Sequence, residues 1–346
     1  MGYFESRDWR FLSFNVENLF LYLDHGLTQD PKTLTKEQWR RMSSALVENK
    51  PLQQVLEIAR AIEDTNPDFV MLCEVGGRES LANFSHYFLE DRYVPHLLEG
   101  NSDRGIDLGF LVKRGLPFKY DMVSHRNRPL EFQYPHEKQS HETGYRASRN
   151  HRFSRDVVEL RVFENELPVL VLINVHLKSP LDKDRIDPGG RDRRRAECDM
   201  LAQIYKEARQ ETADVAGRVV PFIVGGDFNG VAHGPAVDPE FESLATTDLR
   251  CALDVAAVPE DDRFTWCYFY GNRPGMFRQI DYVFVSPELV PRVDSHMTWV
   301  YRYKDELGIN RLAPRNANEK RVLPSDHFPV VVTLTQVPQV SKPSLE

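Results

Sequence analysis

The chain has 346 residues, 41% of them hydrophobic, with 52 Asp and Glu against 44 Lys and Arg and a net charge of −8. That length holds a large core in one or two domains, and the acidic balance excludes a protein that coats nucleic acid with its whole surface. No apolar run of about 18 residues is present to span a membrane.

The first strand-like run is RFLSFNV (10–16), which places Asn15 and Glu17 at its end on one face, because side chains alternate along a strand. TKEQWRRMSSALVEN (35–49) reads as a helix opened by Thr35 and Gln38 in capping-box spacing. PLQQVLEIARAIEDTN (51–66) reads as a second, with the apolar stripe Leu52, Val55, Leu56, Ala59 and Ile62. DFVMLCEV (68–75) is a strand ending on Glu74, and DLGFLVK (107–113) and VVELRVF (157–163) are further strands. VLVLINVHL (169–177) carries His176 after a run of Val, Leu and Ile. RDRRRAECDMLAQIYKEARQE (191–211) is a third helix, with Met200, Leu201, Ile204, Tyr205 and Ala208 inward. VVPFIVGGDF (219–228) leads into Asp227 and Asn229, again on one face of a strand. QIDYVFVS (279–286) brings Asp281, and PSDHFPVVVTL places Asp326 and His327 just before a last strand (328–334). Nearly continuous apolar strands are covered on both faces. Their alternation with helices, without a Gly/Ser-rich linker, gives one layered α/β domain with sheets between helices. The four cysteines, Cys73, Cys198, Cys251 and Cys267, form no Cys-x-x-Cys pair, as expected of small buried thiols in a reducing compartment. The N-terminus has charges where a signal peptide needs its apolar stretch, so the expected location is cytoplasmic.

Two basic clusters stand out. Segment 125–155 has six Arg and one Lys against three Glu, and four of the 11 His; segment 185–195 has five Arg against two Asp. In the first, Phe132, Tyr134, Tyr145 and Phe153 interleave with the cations, a mixture suited to stacking on bases and holding phosphates or to a basic solvated loop. The second reads more readily as a solvated helix start than as a phosphate rim.

The polar residues at strand ends carry the chemistry. In layered α/β proteins ligands bind beyond strand ends, and leaving so many polar groups buried and unpaired costs about 1–3 kcal/mol each, so one shared site is the economical reading. Carboxylate and carboxamide oxygens suit a hard cation such as Mg²⁺ or Mn²⁺ rather than zinc. Two imidazoles remain for protons and a charged oxygen. Metal-assisted hydrolysis at phosphorus needs these parts. A glycosidase gives His176 and the SDH motif no role, and no G-x-x-x-x-G-K-[ST] phosphate loop occurs.

In order, FNVENLF, LCEV, NVHLKS, GGDFNG, QIDYVFVS and SDHFPV resemble the motif series of the endonuclease/exonuclease/phosphatase superfamily, which includes DNase I and exonuclease III; they extend from about residue 10 to 334. The resemblance implies a four-layer α/β/β/α sandwich of two packed mixed sheets. It also implies a single domain over 1–346, core about 8–335, with insertions at 24–50 and 125–152. Asn15 and Glu74 would hold the metal, with Asp326 completing or orienting that site. Asp227 would align and activate the attacking water, and Asn229 would bind the phosphate. His327 would contact the scissile phosphate with Asp281 fixing its tautomer. His176 would be a second phosphate contact or the general acid for the leaving oxygen. Arg155, in FSRDVVEL, resembles the phosphate-contacting arginine of DNase I-like enzymes, and Thr265, in FTW, another recurrent substrate-side position. Glu17 departs from the short residue many members carry. The implied activity is a Mg²⁺- or Mn²⁺-dependent phosphodiesterase, foremost a nuclease with DNA or RNA as partner; the alternative is a phosphomonoesterase or a lipid or inositol phosphate hydrolase on the same scaffold.

Overall fold

A computed structural model describes residues 6–134, 136–137, 151–182, 185–271 and 273–338. Two six-stranded sheets face each other. The first runs, in spatial order, β13 (Trp299–Val300), β14 (Val330–Pro338), β1 (Ser6–Leu19), β2 (Phe69–Val75), β4 (Asp107–Lys113) and β3 (Tyr93–Leu97). The second runs β5 (Lys119–Ser124), β6 (Val157–Glu164), β7 (Leu167–His176), β8 (Phe222–Asp227), β12 (Asp281–Val285) and β9 (Arg250–Cys251). A separate hairpin joins β10 (Trp266–Tyr268) to β11 (Met276–Arg278).

Each sheet is mixed in the same way, with one central parallel pair, β1–β2 or β7–β8, among antiparallel neighbours. A parallel pair needs a long crossover. Helices α1 (Lys36–Arg40) and α2 (Leu52–Thr65) lie in the first; α3 (Gly77–Phe88) follows β2, and α4 (Arg191–Ala216) lies in the second crossover. Helix α2 packs on β1 and α3 on β3 and β4, while α4 packs on β7. The result is the four-layer α/β/β/α sandwich. Among the described residues no helix is long and apolar enough to cross a membrane.

The apolar strands lose water from both faces, to the opposite sheet and to a helix. Phe11 and Phe69 stack at 5.4 Å between ring centroids, and each fully buried side chain of this size contributes about 1.5–3 kcal/mol. Asn174, fully buried in β7, donates through Nδ2 to the carbonyls of Leu72 (2.9 Å) and Gly109 (3.2 Å), tying the second sheet to the first. Gly225 lets the sheets approach, since a Cβ there would stand 2.6 Å from Met71 Cε. The four cysteines are buried free thiols.

The structure differs from the sequence expectations at several elements. The capping box forms, with Gln38 N–H donating to Thr35 Oγ1 (3.2 Å) and Thr35 N–H to Gln38 Oε1 (2.8 Å). The helix nevertheless stops at Arg40, because Asp24 Oδ2 takes the Ser44 N–H (2.9 Å) and Ser43 Oγ takes that of Ala45 (3.1 Å), side chains that offer the backbone other partners. Helix α4 runs five residues past 211 and ends where Gly217 adopts φ 65°, the left-handed stop that glycine allows. Segment 125–152 falls partly on residues 135 and 138–150, with Tyr145, outside the described residues. Its other aromatics do not present themselves for stacking: Tyr134 and Phe153 are buried, and Phe132 packs on the core. In 185–195, Arg194 is not solvated but buried against Glu240, because it lies on the inward face of α4.

Candidate active site

Strand ends from both sheets meet at one edge of the sandwich. Asn15, Asp227, Asp281, His176, His327 and Thr265 are all buried. Three of the polar residues lie at the start of their strands rather than the end: Asp281 is the first residue of β12, and Asp326 and His327 precede β14. They reach the same edge because β12 and β14 run antiparallel to β8 and β1.

The backbone leaves regular strand geometry at the points where side chains must converge. Glu17 (φ 46°), Asn18 (φ 56°), Glu74 (φ 67°) and Asn229 (φ 55°) occupy the left-handed region, and the β1–β2 register shifts between Asn15 and Leu19. Strain of this kind, of order 1–3 kcal/mol per residue, persists where the surroundings enforce it. Asn15 and Glu17 therefore do not share a face by alternation. Glu17 N–H donates back to Asn15 Oδ1 (3.0 Å), and Glu17 Oε2 accepts the N–H of Asp326 (3.0 Å). Asp227 and Asn229 likewise meet through a turn: β8 ends at Asp227, whose Oδ1 accepts the N–H of Asn229 (2.8 Å).

Asp227 is the hub. Its Oδ2 accepts Nδ2 of Asn15 (3.0 Å) and of Asn229 (3.1 Å), and stands 3.5 Å from His176 Nε2 and 3.9 Å from His327 Nε2. Burial pushes its carboxyl up to about 7, with Asp281 adding to the rise against the pull of His327. Both amide hydrogens of Asn229 are used, on Leu177 O (3.0 Å) and Asp227, so Asn229 clamps the carboxylate here and offers no free donor to a phosphate. His327 Nδ1 pairs with Asp281 Oδ2 at 2.8 Å. Burial disfavours its charged form, but Asp281 and Asp227 outweigh that and hold its imidazole well above 6.5. Thr265 Oγ1 accepts the N–H groups of Ile280 (3.0 Å) and Asp281 (2.9 Å), fixing the strand that carries Asp281. His176 is held well below 6.5 by burial and by the nearby Arg155, His327 and Arg104, so it is a neutral imidazole.

Glu74 Oε2 accepts the N–H of Asn18 (3.1 Å), while Oε1 lies 3.9 Å from His176 Nε2 and accepts no hydrogen bond among the described residues. A free carboxylate oxygen of this kind suits a hard cation, and Lys50 has Glu17, Asp326 and Glu74 all in its field. Asp227, Asp281 and His327 also stand within 4.8 Å of one another, but the hydrogen bonds just described already engage them. Asp326 Oδ2 is paired with Lys320 Nζ at 2.9 Å. Arg155 is buried, its guanidinium donating only to Ser154 Oγ (3.2 Å) and meeting no carboxylate among the described residues. From Arg155 a cleft of about 720 Å³ opens, lined also by Arg104, Arg152, Lys178 and Arg193, with Asp103, Asp182 and Asp187 on its walls.

The profile of the Endonuclease/Exonuclease/phosphatase family matches residues 12–327. The chain belongs to that family. No curated protein matches it at a significant level by sequence. Similar solved structures include truncated Caenorhabditis elegans TDP2 (18% identity, 95% of this chain and 97% of that one, TM-score 0.56). D. rerio TDP2 complexed with single strand DNA product shares 14% identity over 94% and 98% of the two chains, TM-score 0.54. A Bacteroides thetaiotaomicron mannosyl-6-phosphatase shares 16% over 94% and 98%, TM-score 0.53. These likenesses establish the shared fold. Members of the family hydrolyse phosphoester bonds and are generally dependent on a divalent metal.

Sequence reasoning did not single out several residues that hold the site. Ser325 donates to Asn15 O (2.7 Å) and accepts the N–H of His327 (3.1 Å), and the Tyr303 hydroxyl donates to His327 O. Lys50, Arg104 and Lys320 approach the carboxylates from segments far apart in the chain. Only Ser325 had a local signal, its place in the SDH motif.

Proposed function

We propose that this family member is a Mg²⁺- or Mn²⁺-dependent phosphodiesterase, a nuclease acting on DNA or RNA by attack of a water aligned by Asp227. One observation carries the reading. A clamped, buried carboxylate raised to about 7 stands beside the His327–Asp281 pair and the neutral His176, with the buried Arg155, which meets no carboxylate among the described residues, near His176; these are the parts that attack of water on an anionic phosphorus centre requires.

Asn15 and Glu74 would hold the ion, with Asp326 orienting that side of the site. A Mg²⁺ or Mn²⁺ held there would supply positive charge to offset the negative charge developing on the phosphoryl oxygens. Asp227 takes the proton of the attacking water, a task for which a pKa near the working pH is suited. Its two amide clamps keep the accepting oxygen in one place. His327, kept cationic by Asp281, donates Nε2–H to a phosphoryl oxygen as negative charge develops there. His176, being neutral, serves as a second phosphate contact rather than as a proton source. Thr265 acts through Asp281, and Arg155 neutralises a phosphate oxygen.

The cation-lined cleft supports a polymeric substrate, because its volume and its Arg104, Arg152 and Lys178 exceed what one terminal phosphate occupies. The purified protein should be incubated with duplex DNA, single-stranded DNA, RNA and a panel of phosphomonoesters, each with Mg²⁺, Mn²⁺ or EDTA, beside Asp227→Asn. Cleaved nucleic acid, absent in EDTA and in the variant, is expected. Phosphate release from monoesters with nucleic acids intact would make the protein a phosphatase instead.

A further inference from the structure

The β10–β11 hairpin belongs to neither sheet, and its two faces differ. Side chains alternate along its strands. On one face Cys267 is buried and Phe277 meets Phe264, which in turn meets Phe328, at 5.1 and 5.4 Å between ring centroids. The other face carries Trp266 and Tyr268, directly opposite Arg278 and Met276. With one face packed, the other is commonly polar; here it shows aromatic rings, Tyr268 being 41% exposed and Trp266 half-buried. These two rings lie nearly parallel, at 8° with centroids 5.6 Å apart. Exposed apolar groups that cluster mark a contact surface.

The hairpin is joined to the site. The backbone of Trp266 bridges to that of His327, and Phe328 N–H donates to Thr265 O (2.7 Å). Tyr268 shares a cleft of about 510 Å³ with Glu17 and Asp326. Lys320, from α5 (Ala317–Arg321), pairs with Asp326 at 2.9 Å and has its Nζ 5.7 Å from both ring centroids. Arg321 lines the same cleft, and Arg278 stands across the hairpin from Trp266; neither meets a carboxylate among the described residues. Flat rings with unpaired guanidinium groups beside them suit nucleotides, the ring taking a base and the guanidinium a phosphate. In a duplex each base is covered by its neighbours and its partner, so only an unpaired nucleotide lays its base on a side chain. A bilayer is the poorer occupant, because Tyr268 lines a cleft with charged residues instead of projecting from an apolar face.

We propose that Tyr268 and Trp266 form a stacking platform for an unpaired base beside the scissile phosphate, so that the nucleic acid this site takes is single-stranded. The proposal rests on the nuclease reading above and narrows it to unpaired strands, with Arg278 and Arg321 facing the phosphates on that side.

A short fluorescein-labelled single strand and the matching duplex are titrated with the full chain in EDTA, where cleavage does not intervene, and binding is read by anisotropy. The single strand is expected to bind about tenfold tighter than the duplex, or more. Tyr268→Ala should weaken the single strand about tenfold and the duplex little, by the same factor at low and moderate salt, because stacking releases no counterions. Tyr268→Phe should bind as wild type. The single strand should also quench tryptophan fluorescence, and Trp266→Phe should remove most of that quenching, since Trp9 and Trp39 are buried. If Tyr268→Ala does not fold by circular dichroism, Tyr268→Leu, which keeps bulk without the flat ring, decides in its place. Single-strand affinity unchanged in Tyr268→Ala, or an equal loss for both forms, overturns the platform and leaves the nuclease reading standing. Neither nucleic acid bound, in EDTA or by Asp227→Asn in Mg²⁺, overturns both, and phosphatidylglycerol vesicles bound in their stead would make the hairpin a lipid-facing surface.

Discussion

Replacing Asp281 with Asn removes one charge and almost nothing else. Asp281 Oδ2 accepts His327 Nδ1 at 2.8 Å, both groups are buried, and the Asp281 N–H remains on Thr265 Oγ1. Asn keeps an acceptor of the same size but cannot neutralise the imidazolium. Removing one partner of a buried ion pair costs about 3–5 kcal/mol. With an unfolding entropy of about 2.1 cal/mol/K per residue, that is a fall in Tm of about 4–7 °C for a chain this long. The pH dependence separates charge from packing. His327 is raised in the folded state, chiefly by Asp281 against its burial, so its contribution is fully present below the unfolded value near 6.5 and is lost as pH rises through the folded value. The Tm difference between wild type and Asp281→Asn is therefore expected to be largest at pH 6 and to shrink toward alkaline pH. Differential scanning calorimetry across that range measures it. A difference that is constant with pH would refute the charge argument, since a packing defect does not titrate. In activity, the variant should lose about 10²–10⁴ in kcat, the usual weight of a positioned acid–base group.

Thr265→Val should lower Tm, since it leaves the buried N–H groups of Ile280 and Asp281 unsatisfied at about 1–3 kcal/mol each; a thermal melt unchanged from wild type contradicts the role given to Thr265. Gly226→Ala should fail to yield soluble folded protein, because Gly226 has φ 136° and a Cβ there would meet Val175 O at 2.0 Å; expression and circular dichroism decide. His176→Gln should retain more activity than His176→Ala, because a neutral donor suffices, and a kcat–pH profile of the wild type should show no limb that disappears in His176→Gln. A proton-donating His176 predicts the reverse on both counts.

Much of this arrangement was legible in the sequence because it depends on local pattern. The apolar runs at 69–73, 170–173 and 222–224 have no polar face, and only strands covered on both sides tolerate that. The convergence of Asn15, Glu74, His176, Asp227, Asp281 and His327 followed from polar groups at strand ends. What escaped was decided by tertiary contact. The short strands Tyr93–Leu97, Lys119–Ser124 and Arg250–Cys251 are defined by their neighbours in the sheets rather than by their own pattern, and Gly77–Phe88 begins on glycine with no side-chain cap. The true cause of the Asp227–Asn229 pairing, a turn at φ 55° rather than strand alternation, is a backbone choice that Asn permits but does not announce. The cations at the carboxylates, Lys50 and Lys320, are 270 residues apart and carry no motif.

In the proposed reaction Asp227 directs water onto phosphorus. Hydrolysis of a short single-stranded oligonucleotide in ¹⁸O-water with Mn²⁺, read by mass spectrometry, tests it most directly. One ¹⁸O is expected in the phosphate-bearing product, with a loss of about 10³ or more in rate for Asp227→Asn, as for a base acting in a preorganised site. Label in the alcohol product, or an Asp227→Asn rate within tenfold of wild type, would contradict it.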